Sequence, residues 1–304
     1  MVPSCTITEP AQVCRNGTGS TPTTPQVEIV YYTDPLCSWS WAFEPHWRRL
    51  RYEFADQISR RMVMGGLIAN WQQFADPLND ISRPAQMGPA WLQVEQISGM
   101  PVAAGIWSVD PPASSYPACI AVKAAEQQGQ TIGAMYLRRL REAVMLEQRN
   151  IARTEVLAAL AEALSAHLDV ARFQHDLNSA PVLEAFREDL KDARYRDIGR
   201  FPTLIMRHTT GPAVIVVGYR PYPALREALA RIAPDLAPPQ LVGDLTAYIA
   251  FWQRVTAGEI AVAYDLDLTS ATRMLDEAVA RGMLTRDGQL YRPQVASLEP
   301  ARGA

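Results

Sequence analysis

The chain has 304 residues, enough for one large domain or two smaller ones. It is 48% hydrophobic and 20% charged, the balance of an ordinary globular protein. A formal net charge of −3 gives no overall pull toward nucleic acid or an anionic membrane, and no apolar run approaches the ~20 residues that span a bilayer.

Residues 1–25 are rich in Thr, Pro, Ser and Gly, lack periodicity, and read as a flexible tail. The opening has no basic start followed by an apolar core, so no secretory leader is expected and a cytoplasmic location follows for a chain that begins here. The four cysteines, Cys5, Cys14, Cys37 and Cys119, have no regular spacing. They predict neither a disulfide framework nor a metal site. The stretch from Cys14 to Cys37 is long enough, at up to ~3.3–3.6 Å per residue, for a tail thiol to reach Cys37 as a resolving partner. Two incidental exposed thiols are the simpler expectation.

Residues 27–32 (VEIVYY) are apolar on both faces, as a central buried strand is. Asp34-Pro35-Leu36-Cys37-Ser38-Trp39-Ser40-Trp41 then forms a turn into a helix predicted over 42–54, which Pro45 should kink. That helix carries Trp47, Leu50 and Phe54 at helical spacing, with Arg48, Arg49 and Arg51 between them. His46 reads as a surface or boundary residue. A helix N-terminus offers free N–H groups and partial positive charge, both of which favour a thiolate at Cys37. Asp34 opposes this electrostatically, unless its carboxylate caps the helix. A second strand is predicted over 58–68, running into a Gly-Gly turn. Helices are predicted over 87–98, 114–128, 132–147, 153–166, 169–178 and 182–196. Thr154, Asp169 and Ser179 are cap-region candidates. Trp71, Trp91 and Trp107 are mostly core residues, one or two of which could line a groove beside Cys37. Cys119 reads as a buried structural thiol on an apolar helix face. Residues 203–207 and 213–217 form a hairpin, and 221–232 a closing helix.

Three pieces carry a family resemblance: DPLCSWSW followed by Phe43-Glu44-Pro45, then Gly199-Arg200-Phe201-Pro202-Thr203-Leu204-Ile205, then Gly218-Tyr219-Arg220-Pro221-Tyr222. Together they resemble the DsbA-like thioredoxin-fold family, in the branch of the Spx adaptors and the FrnE-type dithiol-disulfide isomerases. Ser40 stands where that family's second active-site cysteine would be. The resemblance implies an α/β thioredoxin-like fold over 26–233 with a large helical insertion, about 69–196, forming a lid over the redox site. It also implies that Pro202 is a cis-proline facing Cys37. A cis bond there would turn Phe201 to meet an extended peptide, a form of β-strand addition.

After a proline-rich linker, 234–240, a separate small unit is expected over 241–294, followed by a tail over 295–304. Helices over 241–254, 256–264 and 270–281 and a hairpin over 283–291 turning at Asp287-Gly288 resemble a winged helix-turn-helix. Arg273 and Arg281 are balanced by Asp276 and Glu277, with Asp265 and Asp267 just before, so the basic surface that phosphate contact needs is missing. DNA is not expected as a partner; packing or protein contact is.

A CxxC pair works in two steps, attack by one thiolate and resolution by the second. Serine cannot resolve a mixed disulfide. The resemblance and Ser40 together imply a thiol-disulfide oxidoreductase or isomerase working through Cys37 alone, with Ser40 supporting the thiolate and Pro202 completing the catalytic set. Trp39, Phe201 and Thr203 would contact substrate. No cofactor is expected, though glutathione or another small thiol would serve as co-substrate. The alternative is a non-catalytic adaptor that holds a protein partner in the Cys37/Pro202 cleft. A glutathione-dependent isomerase or transferase carries less weight, because such relatives use serine where Cys37 stands.

Overall fold

The computed structural model describes residues 25–55, 57–77 and 79–294. Strand β1 (Val27–Thr33) leads through a tight turn into α1 (Ser38–Ala42) and α2 (Glu44–Glu53), and the chain returns as β2 (Ile58–Met64). β1 and β2 are parallel, Val27 opposite Ile58 and Thr33 opposite Met64; such a pair needs a crossover, which the two helices supply. The helix predicted over 42–54 therefore starts earlier and is split at Phe43. Pro45 has no N–H for the Trp41 carbonyl and its ring would clash there, so it falls in the first turn of a new helix, where no such bond is required.

Between β2 and the next strand run α3 (Met87–Ser98), α4 (Ile106–Val109), α5 (Tyr116–Glu126), α6 (Gln130–Met145), α7 (Thr154–Glu162), α8 (Val170–Asp176) and α9 (Ala180–Tyr195). This is the expected helical insertion, with one addition. The short α4 was not legible, and it sets Trp107 against the rings of Trp71 and Trp91, at 5.9 and 5.1 Å. These tryptophans pack on one another within the core of the insertion. Asp169 and Ser179 cap α8 and α9 through their side chains. Thr154 is instead the first helical residue, behind Arg153.

β3 (Thr203–His208) and β4 (Ala213–Val217) form the hairpin, and α10 (Tyr222–Ile232) closes the unit. The sheet order is β2-β1-β3-β4, with β3 antiparallel to both neighbours. One face of β1 packs Val27, Ile29 and Tyr31 on Trp47, Leu50, Leu225 and Leu229. Its other face sets Tyr32 beside Val63, Ala193 and Ile205.

The C-terminal elements are α11 (Leu245–Trp252), α12 (Ala257–Ala263), α13 (Leu268–Ala280), β5 (Leu284–Asp287) and β6 (Leu290–Pro293). The hairpin turns at Gly288-Gln289, one residue later than the expected Asp287-Gly288: Asp287 pairs with Leu290, and Gly288 has φ +58°. These elements share a core around Tyr248, Ile260, Leu275 and Tyr291. They contact α2 and α6 through side chains. Glu259 of α12 is 0% exposed and lies 2.9 Å from both Arg48 of α2 and Arg138 of α6. Arg49 reaches Asp265 and the Val262 carbonyl. The arginine face of α2 is thus covered by acids from the far end of the chain. Among the described residues no helix is long and apolar enough to cross a membrane.

Candidate functional site

The turn before α1 is fixed by Asp34. Its Oδ1 accepts from the Leu36 N–H at 2.8 Å. Its Oδ2 accepts from the Leu67 N–H at 2.7 Å, the Ser115 hydroxyl at 2.8 Å and the Cys119 thiol at 3.3 Å. Asp34 therefore ties three segments together and does not cap α1. The cap is Cys37 itself, whose Sγ accepts from the Ser40 N–H at 3.4 Å.

Cys37 is only 6% exposed. Its thiol donates to the Phe201 carbonyl at 3.4 Å, and the Phe201–Pro202 bond is cis. The expected juxtaposition of Cys37, Ser40, Phe201 and Pro202 is present. On the thiol itself, burial pushes the Cys37 pKa up, the Ser40 contacts draw it down, Asp34 adds to the rise and Arg141 opposes it. α1 has five residues, too few for a large terminal charge to build up. Desolvation of the charged form therefore prevails. The Ser40 hydroxyl is buried with no hydrogen-bond partner among the described residues; a thiolate at Cys37 would give it one.

Arg141 lies behind the turn, fully buried, and donates to Glu44 and to the Thr33 hydroxyl. Glu44 sits low in pKa despite its burial, because Arg141, Arg138 and Arg48 surround it. Trp41 is buried under the Arg138 guanidinium, 4.5 Å from its ring centroid, and its indole N–H donates to the Pro101 carbonyl at 2.9 Å.

Trp39 is half-buried, 5.7 Å from the Tyr219 ring. Tyr219 in turn meets His46, whose Nε2 lies 3.0 Å from its hydroxyl. His46 is 7% exposed and its Nδ1 accepts from the Tyr222 N–H at 3.2 Å. It is a buried bridge between α2 and α10 and not the surface histidine that its helix position suggested. Phe201 lies on Gly65, where a Cβ would stand 1.9 Å from the ring; the glycine is what lets the two segments approach. Thr203 is 1% exposed and its hydroxyl donates to the Arg200 carbonyl at 2.7 Å. Cys119 is buried as expected. The resolving roles considered for Cys5 and Cys14 fall outside the described residues.

A mixed four-stranded sheet, a cysteine at a helix start, a facing cis-proline and a helical insertion define a DsbA-like thioredoxin-fold protein. The chain belongs to the thioredoxin family whose model Thioredoxin_5 matches residues 31–227. It is 29% identical over 263 residues to the ClpXP adapter protein SpxH of Halalkalibacterium halodurans, covering 85% of this chain and 84% of the relative. It is 30% identical over 246 residues to SpxH of Bacillus subtilis, covering 80% and 79%. Among solved structures it resembles a candidate protein disulfide isomerase from Nitrosomonas europaea, with TM-score 0.57, 23% identity, and 68% and 97% of the two chains covered. It also resembles the cytosolic disulfide reductase DsbM from Pseudomonas aeruginosa, with TM-score 0.51, 21% identity, and 62% and 88% covered. At these identities the two structures speak for the fold alone.

Proposed function

We propose that this protein is an adapter that holds another protein at the Cys37/Pro202 cleft, with Cys37 part of the binding surface and not a turnover nucleophile. The observation that carries this is the state of the thiol. It is buried, caps a helix, donates to Phe201, and is held in its protonated form by desolvation. Ser40 stands where a resolving thiol would be needed. Similarity to proteins named ClpXP adapters supports the same role, since the 263 matched residues exceed the stretch from Val27 to Ile232 and so reach beyond the thioredoxin unit. A component of a ClpXP-type protease and a client in the cleft are the partner classes that follow. On α13 Arg281 pairs with Glu277, and Asp276 pairs with Arg286, which supports protein contact over DNA for the C-terminal elements.

A monothiol oxidoreductase is the second reading, and the Phe201 carbonyl beside Cys37, preceding the cis-proline, favours it. Glutathione or another small thiol would then release the mixed disulfide. One assay separates the two: glutathione-coupled reduction of hydroxyethyl disulfide by the full chain and by its Cys37→Ala variant, run beside a binding measurement with purified ClpX. The adapter role predicts equal background rates and saturable binding. Turnover that disappears with Cys37→Ala, without ClpX binding, would establish the oxidoreductase.

A further inference from the structure

The four-stranded sheet has two edges, and they differ. β2 carries Arg60 and Arg61, one for each face, and the Met64 N–H at its end donates to Asp189 at 2.9 Å. Charges placed this way keep an edge from pairing with another strand. β4, Ala213-Val214-Ile215-Val216-Val217, has no charge and no proline, and four of its five residues are β-branched, the type that suits strands best.

The direction of its backbone groups follows from its ladder with β3. The His208 N–H donates to the Pro212 carbonyl at 3.0 Å and the Gly218 N–H to the Pro202 carbonyl at 2.8 Å, one residue outside each end of the paired stretch. In an antiparallel pair, bonded and non-bonded positions alternate. Val214 and Val216 therefore turn their N–H and C=O toward β3. Ala213, Ile215 and Val217 turn theirs outward, and among the described residues no backbone or side-chain group meets them. The side chains alternate as well. Val214 and Val216 pack on the core shared with α2 and α10, while Ile215 and Val217 are 58% and 43% exposed.

A row with this spacing fits its own copy. We propose that β4 is an interface between two copies of this chain, which meet antiparallel and join their sheets edge to edge. Ile215 then faces its counterpart, and Ala213 faces Val217 of the other copy. Each facing pair exchanges two hydrogen bonds, so every outward group on the strand is satisfied. The exposed side chains form one apolar stripe across the seam, and no like charges meet. A strand without charge offers a foreign partner no ionic signal to select it. Self-pairing needs none, because the two-fold axis supplies the matching register. Five residues a side fall short of the ~800 Å² per partner of a standard interface, so the association is reversible. Val217, which pairs with Thr203 beside the cis-proline, is set against the far end of the other β4. The two Cys37/Pro202 clefts therefore lie at opposite ends of the joined sheet. The interface uses neither and goes beyond the proposed adapter function.

Sedimentation velocity of the full chain at rising concentration should show monomer passing into dimer. Amide hydrogen exchange read by nuclear magnetic resonance locates the seam. Ala213, Ile215 and Val217 should gain protection as the dimer forms, while Val214 and Val216, bonded to β3, are protected throughout. Ile215→Lys sets two ammonium groups against each other at an exposed position. It should fold and melt as the parent monomer does, yet raise the dissociation constant at least about tenfold. Ile215→Val should dimerise nearly as the parent does. A chain that stays monomeric, or a dimer in which the three outward amides exchange as freely as in the monomer, overturns the proposal. Protection of those amides in the monomer overturns it as well, since the edge would then be covered by the chain itself.

Discussion

At Cys37 opposing effects act on one proton. Desolvation retains it, while the Ser40 N–H and the Arg141 charge favour its loss. With Cys5, Cys14 and Cys119 replaced by serine, alkylation of Cys37 by iodoacetamide should titrate above the ~8.5 of a free thiol. An apparent pKa below that value would mean that the helix start prevails after all. His46 gives a second residue-scale test. Burial lowers it to about 4, against about 6.5 for the ordinary side chain. The unfolded chain therefore binds more protons than the folded one between these values. Stability is intact above about pH 6.5 and falls as pH drops toward 4, by up to about 3 kcal/mol. Urea unfolding at pH 7 and pH 5 should show this drop, and in His46→Asn it should shrink by about 2 kcal/mol. Cys37 and Ser40 were legible from a local strand-turn-helix pattern, whereas Pro202, whose neighbour Phe201 lies 164 residues from Cys37, was legible only through the family resemblance. His46 was not, because its partners Tyr219 and Tyr222 lie 173 and 176 residues away.

Element by element, the outcome follows how local the determining forces are. Strands with apolar faces and helices with side-chain caps emerged close to their predicted bounds. The split between α1 and α2 needed the backbone consequence of Pro45 followed through to Trp41. The greatest departure is the arginine face of α2. Its spacing is readable, but the carboxylates that meet it are Glu259 and Asp265, some two hundred residues downstream. Glu259 also closes a capping box with Thr256 at the start of α12. Glu259→Ala would leave Arg48 and Arg138 buried without this acid. A loss of about 3–5 kcal/mol in urea unfolding is expected. A loss below about 1 kcal/mol, as for an exposed pair, would show that the contact is solvated.

For the whole molecule, this interface makes the two ends of the chain depend on each other. Arg48, Arg49 and Arg138 contribute from one side, Glu259 and Asp265 from the other, and Arg254 reaches Glu142 at 3.0 Å. Urea unfolding followed by tryptophan emission and by far-ultraviolet circular dichroism should give coincident transitions. A truncation after residue 240 should melt below the parent, because Arg48 and Arg138 lose Glu259 and Arg49 loses Asp265 at once. Two resolved transitions in the full chain, with the truncated chain as stable as its parent, would show independent units.

The Phe201 carbonyl, which accepts the hydrogen bond of the Cys37 S–H, is also the acceptor that an incoming strand would need. The S–H and a partner's N–H therefore compete for one oxygen, and removing the sulfur's proton releases that oxygen. Proton release and partner binding become linked equilibria: each must favour the other by the same factor. Partner affinity should rise with pH through the titration of this single thiol, and the thiol's own pKa should fall on binding. In the adapter role proposed above, the Cys37 sulfur would thereby act as the sensor of whether the cleft is filled.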